Sequence, residues 1–81
     1  MEKETLLSLD EIIKLLKIQL GLKKIKADDK FYEDLGAESA DIVNIIVLVE
    51  DKFEIIFPES EIPKIVSVRD LYSSVLAKLK H

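Results

Sequence analysis

One serine, Ser39, lies among carboxylates in the segment 31–41, and its side chain is the best placed in this sequence for covalent chemistry. A serine that acts as the nucleophile of its own active site needs a base within hydrogen-bond reach, most often a histidine. The chain has no cysteine, and its one histidine, His81, is the last residue. We therefore predict that the chain is not an enzyme, and that any reaction of Ser39 takes place in the active site of another protein.

The composition is that of a small folded domain. With 81 residues, 48% of them hydrophobic and 35% charged, the chain fits one globular domain over residues 1–81. No apolar run approaches the roughly 18 residues of a membrane span, so no membrane insertion is expected. The lack of cysteine excludes disulfides and cysteine-based metal sites, and it fits a cytoplasmic location.

Charge is segregated along the chain. Residues 28–63 carry eleven acidic residues against Lys30 and Lys52, a net charge of −9, whereas the segments on either side are net positive. Such a block repels nucleic acid, so no nucleic-acid partner is expected, and it should attract basic protein partners. The acidic residues of 28–34 lack the alternating ligands and central glycine of a calcium loop, and no metal site is predicted.

Hydrophobic periodicity predicts three amphipathic helices. The first begins with a capping box at Ser8 and ends at Gly21, the second runs from about Ser39 to Phe53, and the last opens at Ser67. Each has one apolar stripe that should face the core. The stripes are Leu9, Ile12, Ile13, Leu16 and Leu20; Ile42, Ile45, Ile46, Val49 and Phe53; and Val68, Leu71, Tyr72, Val75, Leu76 and Leu79.

The remaining segments are predicted to connect these helices. Residues 22–37 form a long loop between helices I and II, and residues 53–57 are predicted to be a buried connection, because no second strand is evident to pair with them. Two prolines bracket at most one short helical turn near 59–65. The predicted fold is all-α, a small four-helix bundle of three main helices and one short one. The loop residues expected in the core are Ile25, Phe31 and Leu35.

The second helix has an apolar surface besides its core face. Val43 and Val47 lie one turn apart and more than about 90° from the centre of the core face. Apolar side chains ringed by carboxylates on an exposed helix indicate a docking surface, although scattered exposed apolar residues are also common. The same outer stripe contains Ala40, Asn44, Asp51 and Glu54.

The sequence around Ser39 resembles that of the acyl carrier protein family. That family has a phenylalanine, an acidic pair, Leu-Gly and an acidic residue before its serine, and then an acidic and apolar helix that ends in phenylalanine. The resemblance covers nearly the whole chain and is strongest over 31–53. The matching residues are Phe31, Glu33, Asp34, Leu35, Gly36, Glu38, Ser39, Ala40, Glu50, Asp51, Lys52, Phe53 and Pro58, followed by the apolar helix from Val66 to Leu79.

The resemblance implies that Ser39 carries 4′-phosphopantetheine, attached from coenzyme A by a separate phosphopantetheinyl transferase (holo-carrier synthase). The arm would hold acyl intermediates as thioesters and deliver them to enzymes of fatty-acid or related biosynthesis, such as polyketide or specialised lipid pathways. Acyl-transferring and synthase enzymes with basic docking patches would bind the second helix, and we expect the carrier to be a monomer. The implied partner-binding residues are Glu38, Ala40, Asp41, Val43, Asn44, Val47, Asp51 and Glu54.

Three residues depart from the family pattern. Glu38 stands where the family usually has aspartate, Ala40 where it has leucine, and Asn44 where glutamate is frequent. These changes suggest a specialised carrier with its own transferase or synthase, or a carrier that is no longer modified, and a routine fatty-acid carrier is also compatible. The alternative is an unmodified helical interaction module, in which Ser39 only caps its helix and Val43 and Val47 bind one partner protein.

Overall fold

The computed structural model describes residues 8–79, within which the chain forms three α-helices and one 3₁₀ helix. Helix α1 spans Leu9–Leu20, α2 spans Ser39–Phe53, the 3₁₀ helix η1 spans Glu59–Lys64, and α3 spans Val68–Leu79. The all-α prediction of three main helices and a short one is confirmed. None of the helices in this part of the chain is long and apolar enough to cross a membrane. His81 lies outside the described residues.

Helix α1 begins and ends at the residues that its capping pattern predicts. Ser8 has an extended backbone (φ −104°, ψ 156°), and its Oγ accepts a hydrogen bond from the Glu11 N–H at 3.2 Å. Gly21 ends the helix with φ of 68°, and its N–H bonds to the carbonyl of Lys17. Glycine adopts this left-handed conformation without the steric penalty that a Cβ would bring. The length of α1 is therefore set by local chemistry at both ends.

The core lies where the three α-helices meet. Each helix buries one stripe, and the predicted stripes are confirmed apart from Leu79, which is 41% exposed at the end of α3. Burying such a side chain contributes about 1.5–3 kcal/mol relative to leaving it in water. The fully buried helical residues are Ile12 and Leu16 of α1, Ile45 and Val49 of α2, and Val68, Leu71 and Val75 of α3.

Backbone hydrogen bonds fasten the long loop between α1 and α2 to the start of α3. The Phe31 N–H donates to the Val66 carbonyl at 2.9 Å, and the Arg69 N–H donates to the Ala27 carbonyl at 2.8 Å. An isolated antiparallel bridge lies between these bonds, and among residues 8–79 no strand is formed. The loop is thus held against α3 as it approaches α2. Of the predicted core residues in this loop, Ile25 and Phe31 are buried and Leu35 is partly buried.

Two predictions for the segment after α2 need correction. Residues 53–57 are not uniformly buried: Phe57 is buried in the core, whereas Ile56 is 79% exposed. The six residues of η1 make two 3₁₀ turns rather than one. Its hydrogen bonds bypass Pro63, which has no N–H to donate. The bonds at its two ends run from the Glu61 N–H to the Pro58 carbonyl and from the Ile65 N–H to the Ile62 carbonyl.

Candidate functional site

The turn that precedes α2 is built by its own backbone and one carboxylate. Asp34 Oδ2 accepts from the Lys30 N–H at 2.8 Å, and the Asp34 N–H donates to the Lys30 carbonyl at 2.9 Å. Gly36 then takes φ of 67°, and the next residue, Ala37, is buried and donates its N–H to the Phe31 carbonyl at 2.9 Å. The turn thereby fixes the direction in which the chain enters α2.

Ser39 is the first helical residue of α2, and Glu38 is the N-cap. Glu38 has an extended backbone (φ −106°, ψ 169°), and its N–H donates to Asp41 Oδ2 at 2.9 Å. The interpretation in which Ser39 itself caps the helix is therefore wrong about the capping residue. Ala37 is anchored in the core, the chain stays extended through Glu38, and the helix begins at Ser39, one residue earlier than it would if Ser39 were the cap. The Ser39 hydroxyl is therefore not needed to cap the helix, and the residue is exposed to solvent.

An apolar groove of about 370 Å³ lies beside Ser39. It is bounded by α2, by the turn that precedes α2, and by the end of η1 with the segment that follows it. Of this lining, the sequence predicted a functional role for Ser39 and Val43 and a core position for Ile42. It gave no functional role to the others, which are ordinary apolar residues with no motif that links them to Ser39. The tertiary fold, which places the end of η1 and the segment after it beside α2, brings Ile62, Pro63, Ile65 and Val66 there. The lining residues are Tyr32, Ser39, Ile42, Val43, Ile62, Pro63, Ile65 and Val66.

The predicted outer stripe of α2 is exposed. Val43 and Val47 are 55% and 57% exposed, well above the buried residues of the same helix. Asp41 is partly buried, and its Oδ2 is engaged by the Glu38 N–H. The stripe therefore presents apolar side chains between polar ones to solvent. Its other predicted members, Ala40, Asn44, Asp51 and Glu54, are also exposed.

Several carboxylates of the acidic segment are hydrogen-bonded within the chain. Asp29 Oδ2 accepts from the Lys26 N–H at 2.8 Å, and Glu50 Oε2 accepts from the Phe57 N–H at 2.7 Å. Over residues 8–79, no three metal-ligating side chains are grouped so that they could hold an ion. Part of the negative charge thus has a structural role in addition to its effect on the surface potential.

The sequence and the fold agree with a known family. A family model described as the phosphopantetheine attachment site matches residues 9–75, a range that includes the turn, Ser39, the groove and most of α3. The chain belongs to this family. The prosthetic group of the family is 4′-phosphopantetheine, and its acyl carrier proteins are carriers, not catalysts.

Individual acyl carrier proteins support the family assignment. The acyl carrier protein of Chloroherpeton thalassium is 41% identical over 64 residues, which cover 79% of this chain and 80% of that protein. That of Campylobacter concisus is 41% identical over 51 residues, and the match spans 66% of its length, just under two thirds. The crystal structure of an acyl carrier protein from Thermotoga maritima superposes with a TM-score of 0.76 at 28% identity, covering 89% of this chain and 86% of that one.

The residues around Ser39 fit a phosphopantetheine group. Ser39 is exposed at the N-terminus of a 15-residue helix, where the first backbone N–H groups have no acceptor within the helix. The helix dipole favours an anion at this end by about 0.3–1 kcal/mol, so the phosphodiester of the family's group suits the position. The groove beside Ser39 offers apolar surface next to this serine.

Proposed function

We propose that this chain is an acyl carrier in which Ser39 is the attachment point of 4′-phosphopantetheine. The observation that carries the proposal is the position of Ser39 as an exposed first residue of α2, on the edge of an apolar groove. Glu38 takes over the capping role, which leaves the Ser39 hydroxyl available to a transferase. The anchored turn holds that hydroxyl in one place relative to α2.

The chain and its group divide the chemistry between them. When attached, the group supplies a thiol that holds acyl cargo as a thioester. In the active site of a phosphopantetheinyl transferase, Ser39 Oγ attacks the pyrophosphate of coenzyme A. The P–O bond between the two phosphates breaks, adenosine 3′,5′-bisphosphate leaves, and the serine proton goes to a base of that enzyme, which also brings the metal. The chain has no cysteine, so no protein thiol competes for the acyl group.

Partner enzymes with basic patches bind the exposed side of α2 in this proposal. The net charge of −9 over residues 28–63 speeds their encounter, and the exposed apolar side chains of the stripe provide contact area. The cargo belongs to fatty-acid or related biosynthesis, including polyketide and specialised lipid pathways, in the cytoplasm. The proposed partner-binding residues are Glu38, Ala40, Asp41, Val43, Asn44, Val47, Asp51 and Glu54.

Intact-mass measurement after incubation with coenzyme A and a broad-specificity phosphopantetheinyl transferase tests the attachment point. The wild-type chain should gain one phosphopantetheine unit, and Ser39→Ala should gain none. Ser60→Ala is the matched control, because Ser60 is also exposed in the first turn of a helix and should not affect the gain. A mass gain that persists in Ser39→Ala would show that the group is attached to a different residue.

A wild-type chain that gains no mass would be retested with the transferase of its own organism, because Glu38 and Ala40 depart from the family pattern. Failure there as well would favour the unmodified interaction module.

The docking surface has a separate test. Val43→Glu should lower kcat/KM of the transferase for the chain by roughly tenfold, because a charge in the apolar centre of an interface costs about 1–2 kcal/mol. Ile18→Glu is the control, since Ile18 is 82% exposed on α1, away from Ser39. Equal losses in the two variants would contradict docking on α2.

A further inference from the structure

A second apolar face lies on the opposite edge of α2 from the Ser39 groove. Of the exposed large apolar residues in the described part of the chain, the two most exposed are Ile18 at 82% and Ile56 at 79%. Both lie on this face, together with Val47 at 57% and Leu48 at 37%. Four such side chains on one side of a small chain form a patch of the kind that marks an interaction surface.

The face consists of two recesses that share Leu48. The first, about 430 Å³, lies between α1 and α2 and is lined by Glu11, Lys14, Leu15, Ile18, Leu48 and Lys52; it is called the basic recess below. The second, about 620 Å³, includes Val47, Leu48, Glu50, Asp51, Ile55 and Ile56 in its lining and is called the acidic recess.

The two recesses carry opposite net charge. The basic recess has two lysines against one glutamate, and the acidic recess has two carboxylates and no basic residue in its lining. Two copies can pair through a two-fold axis that lies in the plane of contact and passes beside Leu48. If this axis is perpendicular to the line that joins the two recesses, the basic recess of one copy lies against the acidic recess of the other. The apolar side chains then meet at the centre, as an isologous interface requires.

We propose that this face binds a second copy of the chain and forms a weak two-fold dimer. The interface is small, at the low end of the range for specific complexes, so the dimer forms at high protein concentration and the chain is a monomer when dilute. Exposed ion pairs add little affinity and fix the orientation, so salt weakens the dimer.

The dimer leaves Ser39 accessible and covers part of the proposed partner surface. Val47, Asn44 and Asp51 line the acidic recess, whereas Ser39 and Val43 line the separate groove. Dimer formation and enzyme docking on α2 therefore compete for the same residues. The competition with enzyme docking rests on the proposed function. The dimer itself does not, and the dimer is tested with the unmodified chain.

Sedimentation equilibrium from about 10 μM to about 1 mM protein at low salt measures the association directly. The average mass of the wild type should rise from the monomer value toward twice that value. Ile18→Glu and Ile56→Glu should abolish the rise, and both positions are exposed enough to leave the fold intact. Val43→Glu, on the Ser39 groove, should leave it unchanged. A wild type that stays monomeric overturns the proposal, as does a dimer lost through Val43→Glu or retained in both isoleucine variants.

Charge exchange tests the orientation of the two copies. Lys52→Glu and Asp51→Lys should each weaken self-association, because each places like charges in both symmetry-related contacts. An equimolar mixture of the two variants should regain association, since in the mixed dimer both contacts again join opposite charges. A mixture that associates no better than either variant alone would rule out the proposed two-fold arrangement.

Discussion

The Lys78 ammonium lies 2.9 Å from Glu61 Oε1 and 3.1 Å from Glu61 Oε2, an ion pair that joins the last turn of α3 to η1. The same ammonium is 5.0 Å from the centre of the Phe57 ring. The Lys78 side chain is 19% exposed and that of Glu61 is 38% exposed. Because η1 contributes Ile62 and Pro63 to the groove beside Ser39, this ion pair supports one wall of that groove.

Partial burial should make this pair worth more than an exposed one. A double-mutant cycle with Lys78→Met and Glu61→Gln, followed by urea unfolding, should give a coupling free energy of about 1 kcal/mol. The pair of Arg69 and Asp28 is the control, with side chains 55% and 84% exposed, and should couple by only about 0.2–0.5 kcal/mol. Equal coupling in the two cycles would show that burial does not strengthen the Lys78 pair.

Glu54 should be a position where glycine stabilises the fold. It ends α2 with φ of 57°, a conformation that costs residues with a Cβ about 1–2 kcal/mol. Glycine avoids this steric cost but loses more chain entropy on folding, so only part of the cost is regained. Glu54→Gly should therefore raise the free energy of unfolding by about 0.5–1 kcal/mol. Lys52→Gly, within the same helix, should lower it by about 1 kcal/mol in the same denaturant titration. If both changes destabilise, the strain at Glu54 is not relieved by glycine.

Gly36 should tolerate asparagine better than alanine. Its φ is 67°, and a Cβ at this position would meet no atom within 4 Å, so the cost of substitution comes from the backbone and not from a clash. We expect Gly36→Ala to lower the free energy of unfolding by about 1–2 kcal/mol and Gly36→Asn by clearly less, because asparagine visits the left-handed region more readily. Thermal melts of the two variants compare them. An alanine variant as stable as the wild type would refute the conformational argument.

Added salt should stabilise the chain by screening its acidic segment. The net charge of −9 over residues 28–63 repels itself, and no three-ligand metal site is present in residues 8–79. We expect the Tm to rise with sodium chloride and with magnesium chloride, and the magnesium effect to increase gradually without the saturation of a specific site. Circular dichroism melts measure this. A Tm that stays flat or falls with magnesium would count against self-repulsion as a source of instability.

The local features of the fold were predictable because each depends on residues close in sequence. The cap at Ser8 and the stop at Gly21 follow from side-chain and backbone chemistry within one turn. The core faces follow from the helical period, which the sequence displays directly. Errors arose where tertiary packing decides. With Ala37 buried in the core, Glu38 is the cap, and the chain after Glu54 buries Phe57 and leaves Ile56 exposed.

The sequence by itself determined the helices, their core stripes, the acidic segment and the motif that singles out Ser39. Only the tertiary structure decided what surrounds that serine. Tyr32 comes from the turn before α2, Ile62 and Val66 come from η1 and the segment that follows it, and no local rule pairs them with Ser39. The ion pair of Lys78 with Glu61 and the face around Leu48 likewise depend on the tertiary structure. Contacts between distant segments depend on how the helices pack together, because the helical period specifies which face is buried and leaves open which neighbour that face will meet.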